Sequence, residues 1–122
     1  LATGTIKAIP VNFPFTLGII LPTAFAAPVV DLSVNLKSET NYENICKSIK
    51  FASEGSLKNI LAYSDSLCVS SDFVTNSNTS VFDANAGLEI SKTFFKLVSW
   101  YDNEWGYSNK ILDMIIHMNN RS

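Results

Sequence analysis

Charged side chains are scarce in this sequence of 122 residues: they make up 16% of it, whereas hydrophobic residues make up 47%. Globular domains typically carry about 25% charged residues. Disordered chains combine low hydrophobicity with high net charge, so the composition excludes disorder and leaves enough apolar material for a core. The low charge also indicates apolar surface that meets a partner chain or another domain.

Arginine is almost absent, because Arg121 is the single arginine among nine basic residues, and the net charge is −2. Such a surface cannot follow a phosphate backbone, so nucleic-acid binding is not expected. The two cysteines, Cys46 and Cys68, are too few for a disulfide framework and are typical of a reducing compartment. No basic segment precedes an apolar run at the N-terminus, as a secretory signal requires.

Long apolar runs are also missing. The most apolar window covers residues 17–30, and Pro22 and Pro28 interrupt it. A membrane-spanning helix needs about 20 consecutive apolar residues. We therefore expect a cytoplasmic protein without membrane contact and without a metal site.

Two periodic patterns follow one another in the middle of the chain. Apolar and polar residues alternate over 30–37, which predicts a strand with one buried face. Thr40 is followed three residues later by Glu43, the capping-box pattern that begins a helix. Apolar residues at helical spacing extend from there to Gly55, so residues 41–54 are predicted to form an amphipathic helix.

The second half of the sequence predicts short strands, polar breaks and a final helix. Strands are predicted over 59–63, 67–73, 80–83 and 93–101, with a loop over 75–78 and a turn at 85–87. The segment 93–101 is apolar on both sides of the alternation, so a buried helix remains an alternative there. Polar residues 102–104 can begin a helix that an apolar stripe from Tyr107 to Met118 continues.

The N-terminal part is less regular. One or two helical turns are expected over residues 2–9, ending at Pro10, and no clean period is present over 10–28. Most links between the predicted strands are too short for parallel crossovers. The predicted fold class is therefore α+β, an antiparallel or mixed sheet with helices on one face, in a single domain covering residues 1–122.

The segment Ser99–Asn109 is more specific than any periodicity: it reads Ser-Trp-Tyr-Asp-Asn-Glu-Trp-Gly-Tyr-Ser-Asn. Shorter blocks accompany it in a fixed order, namely Val29–Leu32, Ala52–Gly55, Leu57–Leu61, Val69–Phe73, Val81–Ala84 and Asp113–Met118. Together they resemble the C-terminal catalytic domain of glyceraldehyde-3-phosphate dehydrogenase. The resemblance is close over residues 29–118 and loose over 2–9, and it implies the same α+β fold, with 1–122 forming part of that domain.

The resemblance also implies a chemistry. The family enzyme oxidises an aldehyde with NAD in glycolysis. A cysteine thiolate attacks the aldehyde, a histidine acts as base, hydride passes to the nicotinamide, and inorganic phosphate releases the acyl group. The family is tetrameric, so a homo-oligomer or hetero-oligomer is implied as well.

Four residues match functional positions of the family. Asn103 matches the asparagine that hydrogen-bonds the nicotinamide carboxamide, and Tyr107 matches a tyrosine near the nicotinamide ring; an amide suits a carboxamide because each can donate and accept. Thr3 and Gly4 match a threonine and a glycine that contact the attacking phosphate. Each has a structural alternative: a helix cap for Asn103, helix packing for Tyr107, and a frayed terminus for Thr3 and Gly4.

The family's reacting groups have no counterpart in this sequence. It contains no Gly-x-Gly-x-x-Gly turn of a nucleotide-binding domain, no Ser-Cys-Thr-Thr-Asn nucleophile block and no base histidine. The arginine that binds substrate phosphate is missing at Ile19–Thr23, the stretch similar to the family's Val-Pro-Thr. Cys46, Cys68 and His117 fall where the family has neither nucleophile nor base.

We therefore expect no catalytic residue in this chain, no NAD-binding domain within it, and no dehydrogenase activity of the chain alone. The alternative is a non-enzymatic protein. In that case the chain is an interaction or oligomerisation module, or a decayed copy of the family's catalytic domain, and uses surfaces that pack between family subunits.

Overall fold

The structure, a computed structural model, describes residues 16–21 and 27–121. Its elements in chain order are β1 (Thr16–Leu21), β2 (Val29–Asn35), α1 (Tyr42–Glu54), β3 (Leu61–Ser64), a 3₁₀ helix (Ser70–Phe73), β4 (Ser80–Glu89), β5 (Phe94–Trp100) and α2 (Trp105–Asn119). The helical turns expected over 2–9 lie outside the described residues.

Within the described ranges, five strands form one mixed sheet in the order β1-β2-β5-β4-β3. The pairs β1–β2, β2–β5 and β4–β5 are antiparallel, and β3 joins the edge parallel to β4. The predicted fold class, α+β with a mixed sheet, is confirmed. The strand predicted over 93–101 is also confirmed, since β5 lies in the interior of the sheet with a neighbour on each side.

The two faces of the sheet are covered by different elements. Directly opposed residues of paired strands share a face, so Tyr63 and Phe82 lie on the same side. Lys50 of α1 lies over the Tyr63 ring, 5.2 Å from its centroid, which places α1 on this face. On the opposite face, Phe73 of the 3₁₀ helix stacks on Trp100 with the ring centroids 5.5 Å apart.

The middle of the chain matches its sequence pattern closely, although the helix cap differs. Helix α1 covers 42–54 and ends at Gly55, against a prediction of 41–54. The Oδ1 atom of Asn41, rather than the Thr40 side chain, accepts the backbone N–H of Asn44 at 2.8 Å. Thr40 instead donates its backbone N–H to the Lys92 carbonyl, so it belongs to the sheet connection.

The strand predicted over 67–73 is wrong, because this segment turns into the 3₁₀ helix. The Asp72 carboxylate accepts the backbone N–H of Val69 at 2.8 Å, which closes a tight turn. The Ser70 hydroxyl donates to the Ala27 carbonyl at 2.7 Å and ties this turn to the segment before β2. These bonds place Phe73 in the core, where it is 4% exposed.

The turn predicted at 85–87 lies inside a longer strand. Strand β4 continues to Glu89, and its register with β5 shifts between Asp83 and Leu88. The Asp83 Oδ1 atom accepts the backbone N–H groups of Asn85 and Ala86 at 3.0 and 3.2 Å. The turn-forming residues therefore produce a bulge, in which one strand bends without leaving the sheet.

The two helices differ in how they meet the sheet. Helix α1 packs against β3 and β4, which agrees with the predicted helix on one face. Helix α2 leaves six of its large apolar side chains between 45% and 59% exposed: Trp105, Ile111, Leu112, Met114, Ile115 and Ile116. Neither helix in the described part of the chain has the length and hydropathy needed to cross a membrane.

Candidate functional site

The corner between β5 and α2 is held by the carboxylate of Asp102. Its Oδ1 atom accepts the backbone N–H groups of Glu104 and Trp105 at 2.9 and 2.7 Å. These donors have no partner within the first turn of a helix, so Asp102 supplies the side-chain cap of α2. The alternative in which Asn103 caps the helix is therefore wrong, because Asp102, the residue before it, binds these N–H groups.

The second oxygen of the same carboxylate reaches a distant part of the chain. The Oδ2 atom of Asp102 accepts the backbone N–H of Thr75 at 2.9 Å, across 27 residues of sequence. Burial raises the pKa of Asp102. The backbone N–H groups of Trp105, Thr75 and Glu104 together lower this pKa by more, so it lies below the ordinary value. The carboxylate is therefore charged at neutral pH, and it joins α2 to the loop that follows the 3₁₀ helix.

Gly106 allows the first turn of α2 to approach this loop closely. It is the buried residue of the helix, and a Cβ atom at its position would lie 3.2 Å from the Asn78 carbonyl oxygen. The loop itself is shaped by Asn76, whose Oδ1 atom accepts both the backbone N–H and the side-chain N–H of Asn78 at 2.9 Å. The corner therefore lies against a loop of defined conformation.

The corner is also fixed to the interior of the domain. Trp100, the last residue of β5, donates its indole N–H to the Asp83 Oδ2 atom at 2.9 Å. Asp83 is 4% exposed, and its other oxygen binds the β4 bulge. The Phe73 ring covers Trp100 from the loop side. Both β5, which leads to the corner, and the 3₁₀ helix before the loop are therefore fixed in the core.

Asn103 and Tyr107 are exposed at this rigid corner. Asn103 lies between Asp102 and Glu104, whose backbone N–H binds the Asp102 carboxylate, and Tyr107 follows four residues later with 67% of its surface exposed. Neither side chain makes a hydrogen bond to another residue of the part that the structure describes. An amide and a phenol are therefore exposed at this corner.

The other predicted site residues are not brought to this corner by the described structure. Thr3 and Gly4, the expected phosphate contacts, lie outside the described residues. Burial raises the pKa of the Cys46 thiol, and hydrogen bonds with Tyr42 and Tyr63 offset only part of that rise. Cys68 lies 3.4 Å from the Ser64 hydroxyl, and both cysteines are thiols.

These cysteines do not resemble activated nucleophiles. An activated thiol has a lowered pKa and a base within hydrogen-bond reach, whereas Cys46 has a raised one. His117 is exposed on the last turn of α2, where a cation is favoured by the helix dipole. Among residues 27–121, no group of three or more His, Cys, Asp or Glu side chains is arranged to hold a metal ion.

The sequence does not predict the contact between Asp102 and Thr75 at this site. The polar run 102–104 indicated a helix start but not which residue caps it. The contact with Thr75 has no local sequence signal. The capping role of Asp102 does have a local signal, since an Asp directly before Asn-Glu-Trp can accept N–H groups two and three residues ahead.

Comparisons with known proteins identify the family. Residues 3–103 match the sequence model of the glyceraldehyde 3-phosphate dehydrogenase C-terminal domain. A chloroplastic glyceraldehyde-3-phosphate dehydrogenase of Arabidopsis thaliana is 50% identical over 122 residues, covering 96% of this chain and 29% of its own length. A cytosolic one of Chlamydomonas reinhardtii is 48% identical, with 96% and 36% covered. The enzyme of Mastigamoeba balamuthi is 46% identical, with 95% and 36% covered.

The chain thus spans 29–36% of the length of these relatives. The match includes Asp102 and Asn103 at its C-terminal limit and β2, α1, β3, β4 and β5 within it. The chain belongs to the glyceraldehyde-3-phosphate dehydrogenase family and corresponds to its C-terminal domain.

Proposed function

We propose that this chain is the part of an NAD-dependent, phosphorylating glyceraldehyde-3-phosphate dehydrogenase that orients the nicotinamide, and that it does not oxidise the aldehyde alone. The observation that carries the proposal is the exposed Asn103 carboxamide at a corner held by Asp102. Residues 1–122 then form one part of the catalytic domain, and the nucleotide-binding domain is supplied from outside them. We expect a cytoplasmic location and a family-type oligomer.

The chemistry of Asn103 suits a carboxamide ligand. Its Nδ2 group donates to the carbonyl of the nicotinamide carboxamide, and its Oδ1 atom accepts the amide N–H in return. Two such bonds fix the rotation of the ring and therefore which ring face meets the substrate. Because the Asp102 side chain binds the Glu104 backbone directly after Asn103 and also the Thr75 loop, little conformational entropy is lost when the nicotinamide binds.

Tyr107 extends the same surface by one helical turn. Its exposed ring offers an apolar face and a phenol hydroxyl to a ligand at the corner. Bound NAD supplies the hydride acceptor. Thr3 and Gly4 are proposed to bind the attacking phosphate through a hydroxyl and a backbone N–H, as their match to the family's phosphate segment suggests.

The thiolate and the base are not assigned to this chain. The raised pKa of Cys46 disfavours its thiolate. The polar contact of Cys68 within the described residues is a hydroxyl rather than a base. What this chain contributes is ligand orientation.

A second candidate function rests on helix α2. Its apolar side chains are about half exposed, and large exposed apolar areas mark interaction sites. An interaction or oligomerisation module without enzymatic activity would use this helix. The same helix is compatible with the first proposal, since family oligomers also need interfaces, so the test must address NAD directly.

The test measures NAD affinity in the native protein that contains this chain. Replacing Asn103 with Ala removes two hydrogen bonds worth about 1 kcal/mol each, which predicts an affinity loss of about 10- to 30-fold. The matched control is Asn119→Ala, which removes an exposed amide from the far end of α2. An unchanged NAD affinity in Asn103→Ala would refute the proposed contact.

The companion test uses the 122-residue chain by itself. Mixed with glyceraldehyde 3-phosphate, NAD and inorganic phosphate, it is expected to form no NADH above a buffer control. NADH formation by the chain would contradict its assignment as an orienting part without reacting groups.

A further inference from the structure

We propose that Asp102 is a positioning residue, which fixes the Asn103 carboxamide by binding the start of α2 and the Thr75 loop with its two oxygens. This inference rests on the proposed role of Asn103 as the nicotinamide contact. It assigns to Asp102 no contact with the ligand. Asp102 acts through its neighbour.

The two carboxylate oxygens of Asp102 bind different parts of the chain, which supports this role. Oδ1 binds Glu104 and Trp105 after Asn103, whereas Oδ2 binds a loop that is remote in sequence. A helix cap needs only the first of these contacts. The second contact fixes the direction in which the whole corner points, because the loop is anchored in the core.

A backbone hydrogen bond across the corner acts together with the side-chain bonds of Asp102. The N–H of Gly106 donates to the Asp102 carbonyl at 3.1 Å. Asn103 is therefore enclosed in a short segment whose two ends are joined by a backbone bond and by side-chain bonds. A residue held in this way has few backbone conformations available, which fixes the origin of its side chain.

Backbone strain is found at two residues that contact α2 or the corner at its start. Two non-glycine residues in the described ranges have positive φ angles, namely Thr75 at 66 degrees and Asn59 at 67 degrees. The Thr75 N–H binds Asp102, and the Asn59 carbonyl accepts the Lys110 ammonium group at 2.7 Å. Such conformations cost about 1 kcal/mol or more and persist where the surrounding structure requires them. Here both serve contacts with α2 or its start.

Asparagine at position 102 separates the two contacts. In Asp102→Asn the Oδ1 atom still accepts Glu104 and Trp105, but an NH2 group faces the Thr75 N–H, and two donors repel. In Asp102→Ala both contacts are lost. The control Asp113→Asn removes one carboxylate from the same helix, where it pairs with Lys110 and, among the described residues, binds no backbone N–H.

The first readout compares two ligands in the native protein. NAD carries the nicotinamide, whereas ADP-ribose lacks it and is otherwise the same. Asp102→Asn is expected to weaken NAD about 5-fold, and Asp102→Ala about 10-fold or more, with ADP-ribose affinity unchanged in both. A general loss of structure would weaken both ligands, and that result would overturn the positioning role.

The second readout is a double-mutant comparison. If Asp102 acts through Asn103, then Asp102→Asn causes no further loss of NAD affinity in a protein that already carries Asn103→Ala. Additive losses would overturn the inference, because they would show that Asp102 acts independently of Asn103.

The third readout does not depend on NAD. Hydrogen–deuterium exchange of the peptide covering residues 101–108 is expected to become faster in Asp102→Asn and to stay unchanged in Asp113→Asn. If Asn103→Ala has no effect on NAD, the proposed function fails, and this exchange measurement decides the positioning of Asn103 by itself. Unchanged exchange in Asp102→Asn would overturn the inference whatever the result with NAD.

Discussion

The ring of Tyr42 lies directly over Gly87, so close that a Cβ atom at Gly87 would come within 2.6 Å of the tyrosine Cζ atom. Tyr42 also donates its hydroxyl to the Ala84 carbonyl at 3.1 Å and its backbone N–H to the Glu89 carboxylate at 2.8 Å. The first residue of α1 is therefore joined to β4 on both sides of Gly87. This contact fixes the helix to the sheet.

Gly87→Ala is expected to destabilise the domain. The added methyl group collides with the Tyr42 side chain, and moving that side chain breaks its bonds to β4. Overpacking of this kind costs about 1–3 kcal/mol. Urea denaturation followed by circular dichroism measures the change in the free energy of unfolding.

The double variant Tyr42→Phe/Gly87→Ala provides the control for this prediction. It removes the hydroxyl oxygen, one of the atoms nearest to the added Cβ. Part of the clash is then relieved, and the double variant should lose less stability than the sum of the two single variants. Strict additivity would show that the two residues do not compete for the same space.

Asp83→Asn is expected to weaken the core beneath the corner. The carboxylate accepts the Trp100 indole N–H with one oxygen and two bulge N–H groups with the other. An asparagine can satisfy only one of these sides, so at least one buried donor loses its partner. The expected loss is about 1–3 kcal/mol of unfolding free energy.

Trp100→Phe tests the same contact from the other side. It keeps a ring for Phe73 to stack on but removes the N–H that Asp83 accepts. In the double variant Trp100→Phe/Asp83→Asn, the two losses should partly overlap. Equal and independent losses would mean that the bulge, and not the indole, determines the need for a carboxylate at position 83.

Stability should decrease in acid through Asp102. A carboxyl group whose pKa is lowered in the folded state stabilises the fold above its unfolded pKa, and this contribution is lost as pH falls through the folded pKa. The pKa of Asp102 lies below its ordinary value because backbone N–H groups outweigh the effect of burial. The contribution is therefore complete at neutral pH and declines below about pH 4.

The measurement compares denaturant midpoints at pH 7 and at pH 3 for the natural sequence and for Asp102→Asn. The difference between the two proteins should be larger at pH 7, because the asparagine cannot lose the contribution that acid removes. Asp65→Asn is the control, since this exposed carboxylate lies 3.8 Å from Lys50 and accepts no backbone N–H among the described residues. An equal difference at both pH values would contradict the role of the Asp102 charge.

The parts of this fold that the sequence predicts are those specified by local patterns. The alternation over 30–37 gave β2, and the spacing behind Asn41 gave α1, because each pattern reports which side of a short segment is buried. Over 67–73 the same reasoning failed. There the side chains of Ser70 and Asp72 bind backbone groups, and these bonds override an apolar alternation.

The candidate site shows the same division. Asn103 and Tyr107 are found from the sequence because they belong to one short motif. The Asp102–Thr75 contact is not, since it joins residues that only the sheet topology brings together. Likewise, the neighbours of Gly87 predict a turn, whereas the space around Gly87 is limited by Tyr42, which lies 45 positions earlier in a different element.

The exposed apolar side chains of α2 lead us to expect self-association of the isolated chain. Successive residues of a helix are rotated by about 100°, so Ile111 and Ile115 lie on one side and Leu112 and Ile116 on a neighbouring one. All four are about half exposed. Helices with so wide an apolar surface are normally buried. We therefore expect the purified 122-residue chain to self-associate through this helix.

Replacing Leu112 and Ile116 with Lys should reduce this association, because it places two charges in the apolar surface of α2. The control, Asn119→Lys with Asn120→Lys, adds the same charge but removes no apolar side chain. Size-exclusion chromatography with light scattering measures the mass of each protein. If the control dissociates as fully as the α2 variant, net charge rather than the apolar surface governs association, and the interaction-module alternative loses its structural support.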